Sequence, residues 1–105
     1  MTRINLDIKQ NFQHKMFFVK VNGGIAYLKY DQVEKKVMEL NETYVPISSR
    51  KRGVATELVT FVMNYANARE YEVLPTFPFV KHFLKKNSKY QDIIIDKKQH
   101  LPHLD

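Results

Sequence analysis

The chemistry available to this chain is concentrated in residues 47–56, Ile47-Ser48-Ser49-Arg50-Lys51-Arg52-Gly53-Val54-Ala55-Thr56. Three consecutive cations, a glycine and a small alanine lie between a strand-like run, Glu42-Thr43-Tyr44-Val45-Pro46, and the start of an amphipathic helix at Val54. The first N–H groups of a helix have no partner inside it and stand at the positive end of its dipole, so phosphate is a good ligand for them. Glycine at 53 removes the Cβ that would hold a ligand off the backbone, and alanine at 55 keeps the next turn small. The stretch reads as an anion cradle. Its other reading is a basic turn solvated by water, because short glycine-containing motifs also match by chance.

The cradle needs a strand to lead in and a helix to lead out. Residues 4–9 alternate apolar and polar side chains, the period of a half-buried strand. Residues 10–15 are expected to connect it to a second strand over 16–21. Asn22-Gly23-Gly24 supplies the positive φ of a tight hairpin, and residues 25–30 form the return strand. Residues 31–35 read as a polar turn and 36–45 as a longer strand packed through Val37, Leu40 and Tyr44. That spacing is not a plain alternation, so a bulge is expected within this strand.

The period then changes. Val54, Leu58, Val59, Phe61, Val62, Tyr65 and Ala66 recur at three- and four-residue intervals, which predicts a helix over 53–69. Residues 71–74 are a short fifth strand. Pro78 suits the first position of a second helix, with Phe79, Val80, Phe83 and Leu84 on its apolar face and Lys81, Lys85 and Lys86 on its basic one. Asn87-Ser88 ends it, and Ile93-Ile94-Ile95 reads as a last strand. The pattern is an α+β domain, a mostly antiparallel sheet with two main helices packed on it, over residues 1–95; residues 96–105 are expected to be a mobile tail.

Composition bounds the partners. The chain has 105 residues, 44% hydrophobic and 27% charged, so a single modest core is expected rather than disorder. A net charge of +6 points to an anionic partner. The absence of cysteine excludes disulfides, thiolate metal sites and a cysteine nucleophile. No apolar run approaches a membrane span and no signal-like segment follows Met1, so no membrane partner and a cytoplasmic location are expected.

Five segments in order carry a family resemblance: Gly24-Ile25-Ala26-Tyr27-Leu28-Lys29-Tyr30, Thr43-Tyr44-Val45-Pro46, the loop from Arg50 to Ala55, Pro75-Thr76-Phe77-Pro78-Phe79-Val80, and Tyr90. The loop is similar to the R/Q-x-x-G-x-G/A signature of the GNAT superfamily of N-acetyltransferases. The five together resemble a compact, single-domain GNAT-related family described as N-acetyltransferase domain-containing. The resemblance implies acetyl-CoA as co-substrate, no metal, and an amine acceptor whose identity stays open. It implies that the cofactor is held by Val45, Arg50, Lys51, Arg52, Gly53, Val54, Ala55 and Thr56, with the pyrophosphate on the backbone amides of the loop, chiefly those of Lys51, Gly53, Ala55 and Thr56. The pantetheine arm would run beside the strand ending at Thr43 to Val45, pairing with its backbone as an added strand, with residues 77–79 opposite.

Three positions depart from the family pattern. Phe77 stands where the family has a cysteine, which removes any acyl-enzyme route through that residue. Glu42 stands where it has a histidine, and a carboxylate there is a candidate general base for the incoming ammonium. Phe83 is the nearest match to the tyrosine acid of many GNAT enzymes and has no proton to donate.

The remaining candidates have plainer readings. Asp31, Glu34 and Glu39 read as surface carboxylates and His82 as an exposed helix histidine. His100 and His103 lack the further ligands a metal site needs. Lys81, Lys85 and Lys86 are a solvated face or a second contact to the nucleotide. Three functions fit: an acetyl-CoA-dependent N-acetyltransferase acting on a primary amine by direct transfer, an acyl-CoA-binding module with little or no catalysis, and, ranked last, a basic nucleic-acid-binding domain.

Overall fold

The computed structural model describes residues 6–95. Strands β1 (Lys9–Asn11), β2 (Met16–Val21), β3 (Gly24–Glu34), β4 (Val37–Tyr44) and β5 (Glu72–Pro75) form one sheet in the spatial order β1-β2-β3-β4-β5. Two helices, α1 (Val54–Ala68) and α2 (Pro78–Lys86), and two 3₁₀ turns, Ile47–Ser49 and Ser88–Ile93, complete the described chain. β1 to β4 pair antiparallel, while β4 and β5 are parallel. A parallel pair needs a long crossover, and α1 is that crossover. The expected α+β architecture is the one observed.

α1 starts and stops where its periodicity does. Its buried face is Val54, Leu58, Val59, Val62, Met63 and Ala66, with Gly53 and Arg69 as caps. It packs on the sheet face that carries Phe17, Val19, Ala26 and Leu28, all buried in the same core. Phe17 is the hub of the contact: its ring centroid lies 5.3 Å from Tyr30, 5.1 Å from Tyr65 and 5.9 Å from Phe61. Phe61 nevertheless stays largely exposed at the edge of that face, while Met63, absent from the expected face, is fully buried.

Several element bounds differ from the sequence reading, each for a tertiary reason. The first strand pairs only from Lys9, in register with Phe18, and Leu6 and Ile8 instead pack against the core as irregular chain; Ile4 and Asn5 lie outside the described residues. Asn11 turns the chain toward β2 by accepting the His14 N–H on its side chain. β3 does not end at Tyr30 but runs on to Glu34, because residues 31–34 find partners in Val37, Met38 and Glu39 across the hairpin. The turn is moved to Lys35-Lys36, with Lys36 at φ 65°. Tyr44 is exposed rather than packed. Residues 93–95 do not form a strand: the chain closes as a 3₁₀ turn with one parallel bridge, Val73↔Ile94. The expected tail falls outside the described residues.

A bulge lies inside β4, but beyond the Val37–Leu40 interval whose spacing called for one. Lys29 pairs with Glu42 and Tyr30 with Leu40, so Asn41 is the extra residue. At the same level β4 loses its other neighbour. The β4–β5 register ends at Leu40↔Pro75, and the N–H groups of Thr76 and Phe77 both donate to the Leu40 carbonyl, at 3.1 and 3.2 Å. Beyond this point β4 continues to Tyr44 paired only with β3, and the chain after β5 turns away into α2.

The β2–β3 turn fixes the segment after β4. The Asn22 carbonyl accepts the hydroxyls of Ser48 and Ser49, each at 2.8 Å. Gly23 has φ 90°, and a Cβ on it would collide with Ser48 Oγ. Gly23→Val is expected to destabilise the protein by roughly 1–3 kcal/mol, from the positive φ and the clash together, and to displace residues 46–49. Chemical denaturation measures the first effect. Reduced ligand affinity in a residue far from any ligand measures the second.

Candidate active site

The cradle is assembled from the end of β4 upward. The 3₁₀ turn Ile47–Ser49 closes with the Ser49 N–H on the Pro46 carbonyl and the Arg50 N–H on the Ile47 carbonyl. Arg50 then folds back: its Nε donates to the Val45 carbonyl at 2.7 Å and its guanidinium lies 5.8 Å from the Tyr44 ring. Lys51 and Gly53 both take the left-handed conformation, φ 63° and 82°. The change from left-handed at Gly53 to right-handed at Val54 makes successive N–H groups converge into an anion-binding concavity. For Lys51, which has a Cβ, this conformation costs about 1–2 kcal/mol. Such strain is typical of functional loops.

The first bond closing α1 is the Glu57 N–H on the Gly53 carbonyl at 3.0 Å. Among the described residues, no protein acceptor meets the N–H groups of Lys51, Arg52, Gly53, Val54, Ala55 or Thr56, and no side chain caps the helix. The N–H of Val45 is likewise without an acceptor. The donors of the cradle thus meet no protein acceptor among the described residues.

These donors roof a slot of about 400 Å³ in the gap between β4 and the chain leaving β5. Thr43 and Val45 form one wall, Phe77 and Phe79 the other, and Arg50, Lys51 and residues 53–56 the roof. Of the sequence-selected residues, Val45, Arg50, Lys51, Gly53, Val54, Ala55 and Thr56 are brought together here. Arg52 is exposed and does not line the slot. Phe83 packs against the core and does not line it either, and the Tyr90 hydroxyl is turned to Asn64 Oδ1 at 3.1 Å. Lys81 and Lys85 face a different hollow beside β5, and His82 is exposed.

Thr43, on the strand end expected to lie beside the pantetheine arm, also brings a side-chain hydroxyl to the slot. Its hydroxyl is buried and is the only buried side-chain polar atom without a partner among the described residues. An unpaired buried hydroxyl costs about 1–3 kcal/mol. A rotation about χ1 would turn it into the slot. Thr43→Val is expected to raise the melting temperature of the ligand-free protein by several degrees and to shrink the further rise on adding a ligand of the slot. The strand alternation was the available signal, since it puts Thr43 opposite Leu28 on the face toward α1.

The same alternation sends Glu42 to the other face of the sheet, opposite Lys29. Glu42 is half-buried there and accepts the Tyr27 hydroxyl on Oε2 at 3.1 Å. Burial first, then this bond and the nearby negative charge, hold the Tyr27 hydroxyl above its ordinary pKa, so it stays a donor across the neutral range. Glu42 does not line the slot; it lies one residue from Thr43, on the reverse side of the same unpaired stretch of β4. The other carboxylates have structural work. Glu39 accepts Thr76 Oγ1 at 2.8 Å, and Asp31 accepts Asn41 Nδ2 at 2.7 Å.

Residues 16–93 match the model of the GCN5-related N-acetyl-transferase family. This chain belongs to that family. The GNAT match spans every element that builds the slot, from β2 to the second 3₁₀ turn. Protein NATD1 of Xenopus tropicalis is 27% identical over 85 residues, covering 79% of this chain and 78% of its own length. Protein NATD1 of Homo sapiens is 26% identical over 82 residues, covering 76% and 73%. A GCN5-like protein of Staphylococcus aureus, solved in solution by NMR, superposes with a TM-score of 0.66 over 94% of this chain and 97% of that one. At 24% identity that last likeness is one of fold.

Among the described residues of this GNAT domain, no helix is long and apolar enough to cross a membrane and no group of three or more His, Asp or Glu side chains converges on a metal-sized space. His100 and His103 lie outside them.

Proposed function

We propose that this GNAT domain is an acetyl-CoA-dependent N-acetyltransferase that acylates a primary amine by direct transfer. The observation that carries the reading is the row of N–H groups at 51–56, left without acceptors where β4 and β5 part. A diphosphate fits that row by charge and by geometry. The net charge of +6 favours the same ligand. Thr43 and Val45 on one wall and Phe77 and Phe79 on the other suit an extended, mostly apolar arm with a few amides. Such an arm pairs with the free edge of β4 as an added strand would.

Acetyl-CoA supplies an activated acyl carbon at the end of that arm. The Val45 N–H, without a protein acceptor, is placed to polarise the thioester carbonyl. Glu42 takes the proton released by the acceptor ammonium, directly or through a water. The freed amine forms the C–N bond as the C–S bond breaks; the sulfur leaves with the bonding pair and takes up, through water, the second proton that the nitrogen sheds, giving the amide and free thiol. The chain has no cysteine, so transfer does not pass through a cysteine acyl-enzyme.

An acyl-CoA-binding module without catalysis is the second reading, favoured by a slot wall of phenylalanines with no tyrosine hydroxyl in it. Two assays separate them. Acetyl-CoA at a hundredfold its Kd is expected to stabilise the protein by about 2.7 kcal/mol. Release of free thiol in the presence of amines marks the transferase. Stabilisation without thiol release marks the module, and no stabilisation at millimolar acetyl-CoA excludes both.

A further inference from the structure

On the reverse face of β4 a second hollow, of about 390 Å³, is bordered by His14, Lys15, Lys29, Asp31, Asn41 and Glu42. Its charges are not paired as their positions allow. Asp31 is satisfied, by Lys15 Nζ at 3.7 Å and by Asn41 Nδ2 at 2.7 Å. Lys29 and Glu42 are directly opposite across the β3–β4 ladder, the arrangement in which opposite charges usually meet. Among the described residues they form no ion pair with each other or with any other side chain. Tyr27, two residues before Lys29 on the same face, holds both apart. Its hydroxyl binds Glu42 Oε2 at 3.1 Å, and its ring lies under Lys29 Nζ at 5.7 Å. The hollow thus presents a carboxylate with a free oxygen beside a cation with no counter-charge, next to the two further basic groups His14 and Lys15.

We infer that this hollow selects an acceptor that carries both a primary ammonium and an anionic group, of the size of a small amino acid. The ammonium is received by Glu42, which places its nitrogen on the strand whose other side lines the acyl slot. The anionic group is received by Lys29, the cation of the hollow without a carboxylate partner, since Lys15 is held by Asp31. A diamine would set its second cation against Lys29, a like-charge juxtaposition that disfavours binding. A simple alkylamine would leave Lys29 unanswered. This rests on the acetyltransferase reading and adds to it the charge type of the acceptor and one specificity residue, Lys29.

The test uses matched three- and four-carbon probes on the full chain saturated with coenzyme A: amino acid (3-aminopropanoate, 4-aminobutanoate), diamine, alkylamine and carboxylate. Backbone amide shifts at Lys29, Asn41 and Glu42 report binding without turnover. The amino acids are expected to act at concentrations at least tenfold lower than the other three classes. Lys29→Glu is expected to reverse the order in favour of the diamines. In thiol-release assays the same order is expected in KM. Equal responses to all four classes, a preference of the wild-type chain for diamines, or an order that survives Lys29→Glu would overturn the inference while leaving the transferase reading intact. Failure of coenzyme A itself to bind would sink the transferase reading, and this one with it.

Discussion

Gly53→Val is expected to erase the rise in melting temperature that acetyl-CoA produces, in a protein that still folds. Gly53 stands at φ 82° as the cap of α1, between the free N–H groups of Lys51 and Arg52 and those of Val54, Ala55 and Thr56. A β-branched residue in that conformation costs about 1–3 kcal/mol. That is less than the 5–15 kcal/mol typical of a folded domain, so the chain stays native. The ligand loses more. A diphosphate held by charge-assisted bonds gains about 1.5–3 kcal/mol from each. The added side chain either stands in its place or rotates the loop out of the left-handed conformation that makes the amides converge. Loss of two such bonds lowers affinity by a hundredfold or more, and the stabilisation of about 2.7 kcal/mol available at a hundredfold Kd falls to a small fraction. Differential scanning fluorimetry with and without acetyl-CoA reads this directly, and circular dichroism checks the fold. A full shift in the variant would place the ligand elsewhere.

Glu42→Gln is expected to lower kcat by roughly 10²–10⁴-fold, the usual contribution of a general base, with the acetyl-CoA shift unchanged. The substitution keeps the size of the side chain and an oxygen for the Tyr27 hydroxyl to donate to, so the sheet is undisturbed. Glu42 lies on the face of β4 away from the slot walls, so donor binding is untouched. The separation of the two readouts is the point of the experiment. A lower shift would mean that Glu42 supports the slot, and an unchanged rate would clear it of the base role.

The helices and the cradle were legible in the chain because they depend on local rules. The three- and four-residue recurrence from Val54 to Ala66, proline at the first turn of α2 and glycine at the cap of α1 need no tertiary partner to be read. A bulge was expected in β4 from the spacing of Val37, Leu40 and Tyr44, but it lies beyond Val37 and Leu40, at Asn41, and turns Tyr44 out to solvent. What was illegible depends on pairing. Residues 31–34 look like a turn until Val37, Met38 and Glu39 are seen across from them. Ile93-Ile94-Ile95 look like a strand until Val73 is seen to offer a single bridge.

In the site, the amides were foreseen but two side-chain relations were not. Arg50 looks like a phosphate ligand in sequence, yet its Nε ties down the Val45 carbonyl. The separation of Lys29 from Glu42 by Tyr27 requires the β3–β4 register, which the bulge at Asn41 shifts by one residue. No count along the chain yields that register without the bulge position.

The central claim is that the backbone amides at the start of α1 clamp a diphosphate. An ¹⁵N-labelled sample of this chain, titrated with coenzyme A and separately with pantetheine, tests it residue by residue. Large amide shifts are expected at Gly53, Val54, Ala55 and Thr56 with coenzyme A, and none there with pantetheine, which lacks the diphosphate. Amides at these positions that stay in place while coenzyme A saturates the protein would contradict it.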